Sequence, residues 1–291
     1  MSRVITLLFL LALLLAGCNS RRGPKQTLVF KATPLPGVAA SDVERSQDVV
    51  ASRLHNAELS RGCRFQVELP EPLRLEVTTY GATEEDIAKI KEFVRASATL
   101  EFAPIASPRP DEELLAAAKD VVGEVKIDDV VRGAWLPGAN PDSNDLDYLE
   151  ASVAEGLVRR REVDGKSRRE WLVAYDPECR VTGDHLKSVH ATLDATGAPA
   201  LAFTMRTEEV WRMSNLTGQL TPSRNLNRNL AIIWNGGILS APRVQSQINA
   251  QGQITGNFTP AEAKQMAALL RSGQLPCVFE FEKAISSADG R

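Results

Sequence analysis

The chain has 291 residues, with 34 basic and 37 acidic side chains and a formal net charge of −3. A balance this even excludes the basic surplus that nucleic-acid binding leaves in a sequence. The 43% hydrophobic content is enough to fill one large or two modest cores.

Read from the amino terminus, Arg3 supplies a positive start, residues 4–15 form a twelve-residue apolar core, and the small residues Ala16 and Gly17 precede Cys18. That is the pattern of a cleavable secretory signal over residues 1–17. A membrane-spanning helix needs about 20 apolar residues to cross roughly 30 Å of hydrocarbon. This run stops short of that at Asn19, Ser20, Arg21 and Arg22. Leu15-Ala16-Gly17-Cys18 resembles the lipobox of bacterial lipoproteins, which implies a diacylglycerol on Cys18 and a place in the cell envelope, on the extracytoplasmic side of a membrane. The other reading is an ordinary signal with an incidental cysteine. No later apolar run approaches a membrane span, so the mature chain is expected to be held by its lipid alone. Asn19 leaves inner and outer membrane undecided.

After a polar tether over 18–26, residues 27–33 read as a strand and 41–57 as a helix, with Ser41 and Glu44 spaced as a capping box and Val43, Val50, Leu54 and Ala57 on one face. Strands follow at 64–69 and 73–79, divided by Pro70-Glu71-Pro72. A second helix starts at Thr83 with Asp86 as its cap partner, and a strand at 98–103 completes the order strand, helix, strand, strand, helix, strand. That order predicts an α+β fold with a ferredoxin-like split βαβ layer. Three prolines over 104–110 mark an exit from this layer. Beyond them the sequence predicts a helix at 112–122, an exposed polar loop at 137–147, a hairpin turning on Asp164-Gly165, and a second hairpin turning at 194–197. The last helix, 260–272, carries every end signal: Thr259 as cap, Pro260 in the first turn, Glu262 to complete the box and Gly273 as the stop. A final strand over 277–281 is placed to return to the first sheet.

These readings give a discontinuous base over 27–106 and 260–283, a hairpin-rich α+β head over 107–259, and a disordered tail over 284–291. Besides Cys18 there are three cysteines, so at most one internal bridge can form; Cys63, beside a predicted strand of the first sheet, and Cys277 are the candidate pair. Neither the cysteines nor His55, His185 and His190 have metal-ligand spacing, and no metal or cofactor is expected. Gly165-Lys166-Ser167 matches the end of a phosphate loop, but Arg160 stands where its leading glycine belongs. No nucleophile elbow occurs, so the chain is not expected to be an enzyme. Arg159, Arg160, Arg161, Lys166, Arg168 and Arg169 crowd one hairpin, either as a solvated surface or as a contact for anionic lipid or acidic peptide.

Five segments occur together in one order: Ser97-Ala98-Thr99-Leu100-Glu101-Phe102, Thr182-Gly183-Asp184-His185-Leu186, Leu230 through Gly236, Ser240-Ala241-Pro242, and QITGNFTPAEAKQMAALLRSGQLP over 253–276. Together they resemble the large first extracytoplasmic domain of SecD, a subunit of the protein-export machinery. The resemblance implies a ferredoxin-like base with an inserted head that holds exported or unfolded polypeptide, and Sec translocase components as partners. The sequence departs from the family at Asn235, usually Asp, and Gln274, usually Ala. Family members draw on proton flow through helices that follow the domain; without them, a passive accessory and not a motor is expected. Phe203, Met205, Trp211 and Met213 are the candidate polypeptide-binding residues, serving either as core or as an adaptable apolar groove. The alternative function is an envelope scaffold that reuses the domain to bind a folded partner.

Overall fold

Alternation of apolar residues builds the first sheet: Leu28, Phe30 and Ala32 fall on one face of β1 (Lys25–Pro34) and are buried. The computed structural model describes residues 24–35, 38–71, 73–140, 146–152, 154, 156–222 and 228–287. The expected signal over 1–17 and Cys18 lie outside the described residues. β1 begins at Lys25, inside the stretch expected to be tether. A 3-10 turn over Ala40–Arg45, led by Ala39 without a side-chain cap bond, precedes α1 (Ser46–His55), so the α-helix starts later than expected; the side chain of Ser41, the expected cap, lies outside what the structure describes. β2 (Arg64–Glu71) and β3 (Arg74–Tyr80) pair antiparallel. α2 (Glu84–Arg95) opens on the expected reciprocal cap: Asp86 N donates to Thr83 Oγ1 at 3.1 Å and Thr83 N to Asp86 Oδ2 at 2.9 Å.

The chain continues through β4 (Leu100–Pro104), α3 (Glu112–Ala118), β5 (Glu124–Ile127), β6 (Val130–Pro137) and α4 (Asp147–Ser152). β7 (Val158–Val163) and β8 (Lys166–Ala174) form the expected hairpin, with Asp164 and Gly165 both at positive φ, 51° and 72°. After β9 (Val181–Thr182), the second expected hairpin joins β10 (Leu186–Leu193) to β11 (Pro199–Met205); the Asp194 carboxylate holds its turn by accepting from Thr196 N at 2.8 Å and Ala198 N at 3.0 Å. Then come α5 (Val210–Gly218), β12 (Leu230–Trp234), β13 (Gly237–Ser240), β14 (Gln251–Thr255), α6 (Pro260–Ser272) and β15 (Cys277–Ser287). α6 carries the full Thr259–Glu262 capping box, and Gly273 ends it at φ 89°.

The described residues form four sheets, and the fold is mixed α+β. The first has the order β15-β1-β3-β2, antiparallel throughout. α1 and α2 cover one face, and Val50, Leu54, Ile90, Phe93 and Val94 meet Leu28, Phe30, Leu75 and Val77 in its core. The strand expected at 98–103 does not join this sheet. β4 pairs with β12 and β9 in a sheet of order β13-β12-β4-β9, because Ala98, at φ 57°, turns the chain away after α2. β15 takes the fourth position instead and runs on to Ser287 in register with Lys25, past residue 284, where order was expected to end. The remaining sheets are β10-β11-β14 and β5-β6-β8-β7. α6 faces two cores at once: Ala268 and Leu269 enter the first, while Ala263, Met266 and Ala267 enter the core that holds Leu100, Phe102 and Phe203.

Candidate functional site

The chain crosses between the first sheet and the rest of the fold twice, after α2 and after α6, and one side chain governs both crossings. Arg53 of α1 is fully buried. Its Nη1 donates to Phe93 O at 3.1 Å and to Ala96 O, its Nη2 to Gly273 O at 2.8 Å and Ser97 O at 3.4 Å, and its Nε to Ser272 Oγ at 3.3 Å. These acceptors are the carboxyl ends of α2 and α6, where helix dipoles favour a cation and carbonyls lack helical partners. Burial pulls the guanidinium down to about 10, still charged at neutral pH. Sequence reading missed Arg53, although Val50, Arg53, Leu54 and Ala57 follow the i, i+3, i+4, i+7 spacing of a buried helical stripe.

Beside these crossings lies a cleft of about 890 Å³. One wall is α2 and α6, a second is the start of β15, and the third is the β12–β13 hairpin. That hairpin turns on Asn235 and Gly236, both at positive φ, a conformation asparagine tolerates. Asn235 Oδ1 accepts from Ser97 Oγ at 2.7 Å and Thr99 N at 3.1 Å, and Asn235 N donates to Thr99 O at 3.0 Å. These bonds tie the hairpin tip to the crossing after α2. At Gly237 an added Cβ would stand 2.6 Å from Ala139 Cα, so only glycine admits the neighbouring chain that closes this wall. Trp234 packs against both the first core and the second. The floor is apolar, with Trp234, Ile238, Phe258, Met266, Leu269 and Val278. The rim is charged, and Gln265 Nε2 donates to Glu92 Oε1 at 2.6 Å across it, joining α6 to α2. This size, with a mostly apolar lining and a few polar groups, is that of a binding cleft.

The residues singled out from sequence fall elsewhere. Phe203, Met205 and Met213 are 3%, 2% and 0% exposed, inside the second core, so the core alternative holds for them and a passing chain does not reach them. Trp211 is 46% exposed, with the Arg212 guanidinium 4.6 Å from its ring centre. Cys63 and Cys277 are free thiols. β2 and β15 are opposite edges of the first sheet, and the register sets Arg64 opposite Tyr80, Tyr80 opposite Lys25 and Lys25 opposite Ser287. Cys63 therefore lies at the far end of β15 from Cys277, roughly 30 Å away along the strand at about 3.4 Å per residue, well beyond disulfide reach. Cys277 instead contacts Ser46 Oγ at 3.4 Å. The basic hairpin is largely occupied by its own anions. Arg159 and Arg161 both pair with Glu170, at 2.7 and 2.6 Å, and Arg160 and Arg169 pair with Glu150 at 2.8 and 3.1 Å. Burial pushes the Glu170 carboxyl up, and its two arginines outweigh that and hold it below its ordinary range. Among the described residues, no group of three His, Cys, Asp or Glu side chains is arranged to hold a metal, and no helix is long and apolar enough to cross a membrane.

Comparison with known proteins finds similarities to one group of them. Residues 157–277 match the family model of the SecDF P1 head subdomain. Protein translocase subunit SecD of Aquifex aeolicus (strain VF5) is 34% identical over 150 residues, 50% of this chain and 29% of that protein. SecD of Elusimicrobium minutum (strain Pei191) is 35% identical over 102 residues, 35% of this chain and 20% of its own. The chain thus spans less than a third of the length of these relatives. A crystal structure of SecDF in a super-membrane-facing form aligns with 97% of this chain at a TM-score of 0.59 and 19% identity, over 35% of that chain. A structure of SecDF described as a membrane component that enhances protein export aligns with 88% of this chain and 98% of that one, at a TM-score of 0.54 and 19% identity. The class is therefore a mixed α+β module of SecDF P1 architecture. Within that class, the chain is similar to the extracytoplasmic domain of SecD.

Proposed function

We propose that this protein is an accessory to protein translocation that holds exported or unfolded polypeptide in the cleft between the first sheet and the β12–β13 hairpin. The sheet β15-β1-β3-β2 with α1, α2 and α6 serves as a ferredoxin-like base, and β4 to β14 form the head. Cys18 carries the lipid that keeps the domain at the outer face of a bacterial membrane once residues 1–17 are removed, beside Sec translocase components. The domain grips without driving: work against a load needs a coupled free-energy source, and the cleft offers only differential binding. The observation that carries this reading is the apolar floor of the cleft within a fold similar to SecDF. Apolar surface left open between two packed units favours an occupant with apolar segments to bury, which unfolded chains have and folded ones conceal.

Photo-crosslinkers placed at Trp234, Met266 and Val278 test it in cells. Adducts to secretory chains in transit, lost when export is blocked, are expected. Adducts confined to one folded protein, and unchanged by the block, would overturn the reading in favour of an envelope scaffold.

A further inference from the structure

We infer that the cleft captures polypeptide by adding an extended segment as a new strand to the free edge of β15, so that it reads main chain and not side-chain sequence; this rests on the cleft being the polypeptide site. β15 ends the sheet order, and among the described residues its only strand partner is β1. In an antiparallel edge strand every second residue turns its N–H and C=O away from the sheet. From Cys277 to Ser287 no described main-chain or side-chain group outside the sheet takes up those donors and acceptors. Val278, Phe279 and Glu280 of the strand border the cleft, Val278 being 44% exposed.

The opposite edge shows what protection looks like in this fold. β2 contains Pro70, breaks register between Glu68 and Glu71, and has its Val67 carbonyl bonded by Gln47 Nε2 at 3.1 Å. Proline, a bulge and a covering side chain are the usual ways of disabling an edge. β15 has no proline and, among the described residues, no covering group over its eleven residues; its one bulge, at Glu282, lies beyond the residues that border the cleft and leaves Cys277 to Phe281 in regular pairing with β1. Its Glu280 and Glu282 discourage pairing with a second copy, because an antiparallel pair centred there sets those carboxylates against each other. They do not obstruct its main chain.

The walls choose the occupant. Lys91 and Arg95 stand against Glu92, Glu262 and Glu280 around the cleft, a near balance that complements a segment of low net charge. A strand added to β15 alternates its side chains, one row turning to the Trp234 and Met266 floor and the other to solvent. Main-chain bonds supply affinity for any sequence, while the floor rewards alternate apolar residues. That is the combination needed to hold segments with no common sequence.

The test uses the mature chain and a fluorescent ten-residue peptide of alternating Val and Thr, with no net charge. Two derivatives carry N-methyl groups on alternate residues, one set on each edge of the extended peptide. Anisotropy titration is expected to show binding of the parent, a loss of about tenfold or more for one N-methylated peptide, and near-parent affinity for the other. Hydrogen exchange is expected to show new protection of alternate amides between 277 and 282. Equal binding of all three peptides overturns the edge inference and leaves the cleft as a polypeptide site. No binding of the parent overturns both. Dimerisation of the free protein with protection of the same amides overturns the inference in favour of a second copy.

Discussion

Replacing Arg53 with methionine removes a cation that serves five acceptors at the carboxyl ends of α2 and α6. Four of them are main-chain carbonyls, and three of these, Phe93 O, Ala96 O and Gly273 O, are bonded at 3.1 Å or less, the fourth, Ser97 O, only at 3.4 Å. Stranding a buried polar group costs about 1–3 kcal/mol, so three amount to roughly 6 kcal/mol. Against that, the variant no longer holds a charge out of water. The depression of Arg53 from its ordinary value to about 10 puts that relief at about 3 kcal/mol. The net expectation is a loss of about 3 kcal/mol, read at pH 7 as a lower urea midpoint at constant slope. Arg53→Lys keeps the charge but not the planar fork that reaches two helix ends at once, so it is expected to recover less than half of the loss. A methionine variant within about 0.5 kcal/mol of the parent, or a lysine variant that restores full stability, refutes the account of Arg53 as a clamp on both crossings.

Burial pushes the Asp86 carboxyl up, but bonds from Ser60 and Thr83 overcome it and hold the group at about 2, below its ordinary 3.8. A depressed acid stabilises the fold above its unfolded value and loses that contribution as pH falls toward the folded one, so the window is pH 4 to 2. Asp86→Asn is expected to cost about 1–2 kcal/mol at pH 7 and to flatten the stability profile across that window, as followed by acid titration of helical circular dichroism. Phe203→Ala is expected to lose about 3–5 kcal/mol, as for an aromatic in a packed core, whereas Trp211→Ala changes stability by less than about 1 kcal/mol, both measured by chemical denaturation. Under the proposed anchor, Cys18→Ser abolishes fatty-acid labelling and leaves the precursor uncut at that site.

Signals that act within a few residues were the legible ones. The Thr83–Asp86 and Thr259–Glu262 boxes and the turns at Asp164-Gly165 and 194–197 form where their residue types place them, because each bond closes inside its own turn. The partner of a strand is a different kind of information. β4 and β15 both carry the alternation of a half-buried strand, and nothing local says which of them completes the first sheet. That is decided by Ala98 turning the chain and by the return of α6. Phe203 and Met205 show the same limit: period-two spacing shows that a face is apolar, and not whether a helix or another sheet already covers it. The cleft was illegible for a related reason, since its walls come from residues near 92, 235, 265 and 279, distant in sequence. Arg53 left a trace, but a charge on an apolar stripe reads as an error in the stripe until its acceptors are known.

A party wall carries the load of both houses, and α6 is built as one. Since Leu269 and Met266 sit on different sides of the same thirteen-residue helix, neither compartment can be dismantled while the other keeps its shape. The two halves of the molecule should therefore melt together in a single transition, although the chain leaves one half and comes back to it only at its carboxyl end.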